Sequence, residues 1–224
     1  MCEAAVRRLL EQNGNNVEPN ETLDGTKQSP DFRCTQADKL FFVEATSISM
    51  EKATELTGLA HLPDSGFSFS FYGRVTDAIF RAAIAKTPQC ANLGQPAVVA
   101  VGTFHFPASH LCFERKHLEL LLTGETSISN NIDTATGSPV GDAYLSTKLR
   151  SATFLSPEKG GNMRHARNPV SGILACGFGC DPPTIRCAMH PQPVHAFDRN
   201  LIPKVECCRL RPGYHAGRLA AEWF

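Results

Sequence analysis

The sequence has no long apolar run. No stretch approaches the roughly 18 consecutive apolar residues that a membrane-spanning helix requires. The segment from Met1 to Arg8 also lacks a basic region followed by a long apolar core, which is the pattern of a secretion signal. We therefore expect a cytoplasmic protein with no membrane partner.

The chain also lacks a recognisable disulfide framework. Its nine cysteines are odd in number and spread along the sequence, which is typical of reduced thiols. One cluster, Cys176, Cys180, Cys187 and His190, has enough soft ligands for Zn²⁺. Its spacing matches neither a Cys-x2-Cys pair nor a common zinc finger, and Cys176 lies in an apolar run where cysteine acts as a small hydrophobe. The sequence thus favours buried thiols over zinc without deciding the matter.

The chain has no net charge, because 22 basic side chains balance 22 acidic ones. The two signs are nevertheless unevenly distributed. Residues 1–139 carry 11 Lys and Arg against 16 Asp and Glu, a balance of −5, whereas residues 140–224 carry 11 against 6, a balance of +5. A basic C-terminal part could face the phosphates of a nucleic acid. A solvated surface with uneven charge explains the same counts equally well.

Hydrophobic patterning predicts alternating helices and strands within one domain, since 224 residues with 42% hydrophobic content can bury a substantial core. The predicted helices are 3–12, 49–61, 75–87 and 107–122. The predicted strands are 32–35, 40–45, 97–102, 170–176 and 205–210. The predicted irregular segments are 15–30, 62–72 (a loop or an extra strand), 123–167 (with a short helix at 142–150) and 181–204. The domain would comprise a core at 3–122, a loop-rich insertion at 123–167 and C-terminal strands at 168–224.

Two acidic residues occupy informative places in this pattern. Asp31 follows Pro30 at the start of one predicted strand, and Glu44 lies thirteen positions later near the end of the next. A hairpin of this kind brings two carboxylates to one edge of a sheet, and paired oxygen ligands suit Mg²⁺. Asp31 could instead cap a turn, as Asp after Pro often does. Glu44 could be an edge-exposed residue in a surface salt bridge, although a glutamate after Leu-Phe-Phe-Val is costly to bury unless it is paired or binds a metal.

The segments Pro30-Asp31-Phe32 and Val43-Glu44-Ala45-Thr46 resemble the core motif of the PD-(D/E)xK nuclease superfamily, whose fold is called restriction-endonuclease-like. Uncharacterised bacterial proteins show the same two patterns. The resemblance covers roughly residues 3–102, and it departs from the motif at Thr46, which stands where the superfamily has lysine. It implies an α/β fold with a central mixed sheet flanked by helices, followed here by a loop-rich C-terminal elaboration.

The resemblance also implies a function and a set of residues. Asp31 and Glu44 would bind Mg²⁺ or Mn²⁺, with Glu3 preferred over Glu11 as a third acidic ligand from the first helix. Because Thr46 carries no charge, Lys86 on the 75–87 helix is the natural substitute for the motif lysine, with Arg81 as the alternative. The implied activity is metal-dependent hydrolysis of phosphodiester bonds in a nucleic acid, DNA by the resemblance, and a homodimer is left open. The alternative, which Thr46 favours, is a catalytically inactive nuclease-fold protein that acts as a nucleic-acid-binding or interaction module.

Overall fold

A computed structural model describes residues 1–20, 29–60, 72–148, 152–158, 163–213 and 219–224. It is a mixed α/β structure in which helices flank a large central sheet. The helices are α1 (Cys2–Gln12), α2 (Met50–Thr57), α3 (Tyr72–Lys86), α4 (Phe106–Cys112) and α5 (Arg115–Thr123). The strands are β1 (Asn16–Pro19), β2 (Phe32–Gln36), β3 (Lys39–Ser47), β4 (Ala97–Thr103), β5 (Glu125–Ile132), β6 (Pro139–Lys148), β7 (Leu155–Pro157), β8 (Met163–His165), β9 (Gly172–Gly177), β10 (Thr184–Met189), β11 (Glu206–Leu210) and β12 (Ala221–Trp223).

Eight strands form the central sheet in the order β1-β2-β3-β4-β9-β10-β11-β12. The first three strands pair antiparallel, whereas β3, β4 and β9 run parallel to one another. Beyond β9 the sheet continues antiparallel to β10, parallel to β11 and antiparallel to β12. Every residue of β4 is buried, which explains why its sequence is a nearly continuous apolar run. The pairs β5–β6 and β7–β8 form two separate small sheets.

The two faces of the central sheet pack against different helices because successive side chains of a strand point to opposite sides. Val6 and Leu10 of α1 belong to the core that includes Val43 and Val98, and we call this side the α1 face. The core on the other side contains a stripe on α3, and we call this side the α3 face. That stripe, at helical spacing, consists of Val75, Ile79 and Ala83. Among the described residues, no helix is both long and apolar enough to cross a membrane.

The structure confirms the predicted strands β2, β3, β4, β9 and β11, and helices α1, α2 and α3 within a few residues. The 107–122 helix is divided into α4 and α5 at Phe113 and Glu114. Residues 62–71 of the predicted 62–72 segment lie outside the described residues.

Three predicted irregular segments contain strands instead. The 15–30 loop contains β1, an edge strand of four residues in which only Val17 is buried, so it offers no alternating apolar pattern. The 123–167 insertion contains β5 to β8, and the predicted 142–150 helix is wrong because residues up to 148 belong to β6. Strands β5 and β6 pair antiparallel, and residues 132–142, which include the loop between them, are largely exposed. The Pro-rich 181–204 segment contains β10.

Candidate active site

The candidate site lies at the beginning of β2, where the partner strand β3 extends beyond it. Phe32 pairs with Val43, so the next position of the register places Asp31 opposite Glu44. Strand β3 continues to Ser47, beyond the start of β2, and its backbone there lacks a β2 partner. The Asp31 carboxylate takes that partner's place, because its Oδ2 accepts a hydrogen bond of 2.7 Å from the backbone N–H of Ala45. Asp31 therefore caps a backbone group, but on the neighbouring strand rather than in its own turn.

Glu44 lies in the middle of β3 with its side chain on the α3 face, beside Val99 of β4 in the sheet register. It is 1% exposed, so the hypothesis of an edge-exposed Glu44 in a surface salt bridge is wrong. Burial raises the pKa of the Glu44 carboxyl, the hydrogen bond from Lys86 lowers it, and the negative charge of Asp31 adds to the rise. The two carboxylates are thus close enough to interact electrostatically.

Lys86 is the last residue of α3, and its ammonium approaches Glu44 from the helix. Its Nζ lies 2.6 Å from Glu44 Oε1, and the lysine side chain is 29% exposed. A cation at the end of a helix also interacts favourably with the unpaired carbonyl groups there. Arg81, the alternative cation, pairs instead with Asp77 of its own helix at 2.7 Å. Lys86 is therefore the residue that brings positive charge to the buried acid.

One oxygen of the buried carboxylate remains unpartnered. Among the described residues, Glu44 Oε2 is buried and has no hydrogen-bond partner of good geometry, although the backbone N–H of Asp31 is near enough to lower the pKa of the Glu44 carboxyl. A buried carboxylate oxygen in this condition normally carries a substantial desolvation penalty. A water molecule or a cation bound at Oε2 would remove that penalty.

Two further side chains border the pair. Thr46 lies two residues after Glu44 and so on the same side of β3, where it is partly exposed. Cys90, in the short 3₁₀ turn after α3, is buried, and burial followed by the charge of Glu44 raises the pKa of its thiol to about 12. The Cys90 thiol is therefore neutral at physiological pH. Sequence reasoning missed this neighbour because a single cysteine after a proline carries no recognisable pattern.

Glu3 does not join these residues. It is exposed in the first turn of α1, which packs on the opposite face of the sheet from Glu44. Glu11 pairs with Arg7 at 2.9 Å on the same helix. Within the described ranges, no group of three or more His, Cys, Asp or Glu side chains is arranged to hold a metal ion. Of the predicted metal ligands, Asp31 and Glu44 are the two that the strand register places opposite each other.

The cysteines and histidine considered for zinc are likewise not gathered into a ligand set. Cys176 and Cys187 are buried in the core of the α1 face. His190 lies against Phe154, which belongs to the core of the other face. Its Nδ1 accepts a hydrogen bond from the Gln192 N–H at 2.9 Å, and its Nε2 lies 2.9 Å from the Ala166 carbonyl oxygen. Both ring nitrogens of His190 are therefore engaged by the backbone.

Comparison with known proteins yields no relative of this chain: no family model matches it, and neither a curated protein nor a solved structure does. The site itself consists of two interacting carboxylates, one of them buried, and a lysine that neutralises the buried one. This set can bind a hard cation through oxygen, and it can place an ammonium beside an anionic substrate.

Proposed function

We propose that the protein hydrolyses phosphodiester bonds of a nucleic acid, DNA by the resemblance, with a divalent cation at Asp31 and Glu44. The observation that carries this proposal is the ion pair of 2.6 Å between Lys86 and Glu44, the residue opposite Asp31. Through this pair, Lys86 of α3 supplies the positive charge that the motif lacks at Thr46. Asp31 and Glu44, which would bind the cation, and Lys86, which would neutralise Glu44, thus belong to one site at the beginning of β2.

The order of elements supports the same proposal. Helix α1 is followed by three antiparallel strands, then by helices, and then by β4, which lies parallel to β3. A restriction-endonuclease-like core has this order of a helix, three strands, a helix and a strand. The strand β1, which the sequence pattern did not reveal, is the first of the three strands in this order.

The residues present fit a divalent cation such as Mg²⁺ or Mn²⁺. Both protein ligands are carboxylates, which are the oxygen donors that hard cations prefer. Glu44 Oε2 is buried and unpartnered among the described residues, so a cation there would satisfy an atom that is otherwise costly to bury. When bound, such a cation would polarise the scissile phosphate and lower the pKa of a coordinated water.

The chain's own groups would contribute in three ways. Lys86 favours the ionised form of Glu44 against the effect of burial, and its ammonium can stabilise negative charge that develops on the phosphate. The Ala45 N–H fixes the orientation of the Asp31 carboxylate through its hydrogen bond of 2.7 Å. The Thr46 hydroxyl can hydrogen-bond a water but adds no charge.

A second function is favoured by the burial of the site. Glu44 is 1% exposed and pairs with Lys86, so its carboxylate is shielded from solvent in this arrangement. In an inactive relative of a nuclease, the same ion pair would be a purely structural contact, and the protein would bind nucleic acid without cleaving it. Metal binding distinguishes these two functions.

The experiment combines metal binding with cleavage. Mn²⁺ binding to the metal-free protein is measured by calorimetry and by electron paramagnetic resonance, and plasmid and oligonucleotide cleavage is followed with Mg²⁺ or Mn²⁺. We expect Asp31→Asn and Glu44→Gln each to abolish metal binding and cleavage, and Lys86→Ala to lower kcat by about 10²-fold. Glu11→Gln, which changes an exposed glutamate, is the matched control.

The substitution Asp31→Asn is chosen because an amide oxygen can still accept the hydrogen bond from Ala45. A loss of metal binding then reports the lost charge and not a lost backbone contact. Nucleic-acid binding without Mn²⁺ binding or cleavage in the parent protein would refute hydrolysis and establish the binding module. Its affinity should then decrease with salt at a log–log slope of about −0.9 per phosphate contacted in a duplex.

A further inference from the structure

Two adjoining cavities lie at the carboxyl ends of the parallel strands β3, β4 and β9, and both are lined by Phe104. The larger, about 670 Å³, is lined by residues that include Arg8, Leu9, Phe104, Phe178 and Ile185. The smaller, about 280 Å³, is lined by residues that include Cys2, Ser47, Met50 and Phe104. We call the two together the carboxyl-end groove. Its larger part alone has the volume of a small-molecule site.

The larger part of the groove is lined by Arg8 and Leu9 of α1 and so lies on the α1 face, whereas Glu44 is on the other face of the sheet; the smaller part reaches the end of β3 at Ser47. The Cys2 thiol in its smaller part donates a hydrogen bond of 3.2 Å to the backbone carbonyl of Thr46. Burial, with a smaller contribution from the negative charge of Asp31, raises the pKa of that thiol to about 11. A Cβ atom built on Gly102 would lie 2.7 Å from Cys2 Sγ and 2.9 Å from the ring of Phe178. The Cys2 thiol and the Phe178 ring therefore both lie close to Gly102 near the end of β4, and Cys2 also contacts the backbone of β3.

The larger part offers flat aromatic surface with basic residues at its rim. The rings of Phe104 and Phe178 are stacked at 5.3 Å between centroids with an interplanar angle of 28°, and both are partly exposed. Arg8 and Lys204 at the rim are exposed cations, and Asp181 is the acid among the lining residues. A nucleobase can stack on an aromatic ring, and its phosphate can contact a nearby arginine.

The two aromatic segments are held in place before any ligand binds. Ser109 Oγ donates to the Thr103 carbonyl at 3.1 Å and accepts from the Gly179 N–H at 2.9 Å, so it ties the segment after β4 to the segment after β9. A Cβ atom on Gly179 would lie 2.6 Å from the Phe104 carbonyl oxygen, which shows how closely these segments approach. A ring held in this way loses little freedom when it binds a base.

We propose that the carboxyl-end groove binds single-stranded nucleic acid, with an unpaired base on Phe178 and Phe104 and its phosphate at Arg8. The assignment of the substrate rests on the proposed function, in which the strand would pass from the groove around the carboxyl end of β3, at Ser47, to Asp31 and Glu44 on the other face. A base within a duplex is stacked on both faces and paired along one edge, so it cannot present a face to these rings. The groove therefore selects unpaired strands, whether DNA or RNA.

Binding is tested in EDTA, where no cleavage can occur. A fluorescein-labelled single-stranded 12-mer of deoxythymidine, its ribo-uridine counterpart and a blunt duplex of the same length are titrated with the full-length protein, and anisotropy is measured. We expect Phe178→Leu, which keeps apolar volume but removes the ring, to weaken single-strand binding by about fivefold to hundredfold. Phe178→Tyr should restore parental affinity, and Arg8→Ala should weaken binding and lower its salt dependence. The matched control is Phe106→Leu, because Phe106 is an aromatic residue stacked on His110 outside the groove.

The results separate this proposal from the proposed hydrolysis. Binding that depends on Phe178 and Arg8, with no Mn²⁺-dependent cleavage, supports the groove and refutes hydrolysis. Equal affinities for the parent, Phe178→Leu and Arg8→Ala overturn the groove proposal, as does tighter binding of the duplex than of both single strands. Tighter binding of the deoxythymidine strand supports the groove as a DNA site, and tighter binding of the uridine strand supports it as an RNA site.

Discussion

Replacing Lys86 with methionine leaves the buried Glu44 without its cation, and the cost of that change follows from the structure. At 2.6 Å and an effective dielectric constant of about 20, the attraction within the pair is about 6 kcal/mol, partly offset by desolvation of both charges. Without the lysine, a carboxyl group that is 1% exposed is expected to fold in its protonated form. Protonating a group whose ordinary pKa is 4.5 costs about 1.4 kcal/mol for each pH unit above that value.

The cost of Lys86→Met should therefore depend on pH. The pKa of Glu44 in the folded protein lies above its ordinary value, so the folded state holds more protons than the unfolded state between the two values, and stability falls as pH rises through that interval. Removing Lys86 extends the interval upwards. We expect the free energy of unfolding to drop by about 3 to 5 kcal/mol at pH 8 and by about 1 kcal/mol at pH 5.

Urea unfolding at the two pH values, followed by circular dichroism, measures these costs. Lys52→Met is the control, because Lys52 forms an exposed pair with Glu55 at 2.8 Å that should be worth under about 1 kcal/mol. The double variant Lys86→Met/Glu44→Gln should recover more than half of the loss at pH 8, since it removes the unpaired charge. If Lys86→Met costs no more than Lys52→Met, or costs the same at both pH values, the reasoning about the buried pair is refuted.

Three other substitutions test the same structure. Burial lowers the pKa of His190 from 6.5 to about 4, so on acidification this histidine takes up its proton in the unfolded chain before it does so in the folded protein. The free energy of unfolding should therefore fall by about 3 kcal/mol as pH drops from 6.5 to 4. Urea unfolding should show that His190→Gln flattens this pH dependence. Thr46→Lys should leave cleavage unchanged or lower it, because two cations would crowd one carboxylate, whereas cleavage gained in an inactive parent would show that Lys86 does not replace the motif lysine. Gly179→Ala should destabilise by about 1 to 3 kcal/mol, because its Cβ would meet the Phe104 carbonyl oxygen at 2.6 Å, and an unchanged melting temperature would contradict that contact.

The central elements of the fold were predictable because their patterns are local. Strand β4 is buried along its whole length and is apolar along its whole length, and α3 carries its core residues at helical spacing. Strands β1 and β10 were missed for the opposite reason. The first buries one residue of four, and the second lies between prolines, so their pairing depends on neighbouring strands that are distant in sequence.

The candidate site divides in the same way. The spacing of Asp31 and Glu44 on consecutive strands was readable from the sequence, and so was a helix that could bring Lys86 near them. That Glu44 is fully buried was not readable, since its burial depends on the elements of the α3 face, which are distant from it in sequence. The hydrogen bond from the Ala45 N–H to Asp31 could not be predicted either, because it forms only where β3 extends beyond the first residue of β2.

The buried pair has a consequence for how catalysis and folding can be separated. Glu44 needs a positive charge nearby whether or not the protein is an enzyme, so the stability lost in Lys86→Met cannot by itself distinguish an active site from a structural contact. Binding of a divalent cation can make this distinction. If Mn²⁺ binds the Glu44 carboxylate, it supplies the missing charge and stabilises the folded variant by RT ln(1 + [Mn²⁺]/Kd), which is about 2.7 kcal/mol at a hundredfold excess over Kd. Mn²⁺ should then restore the stability of Lys86→Met but not that of Lys86→Met/Glu44→Gln. An equal gain in stability of the two variants would show that the metal does not bind Glu44.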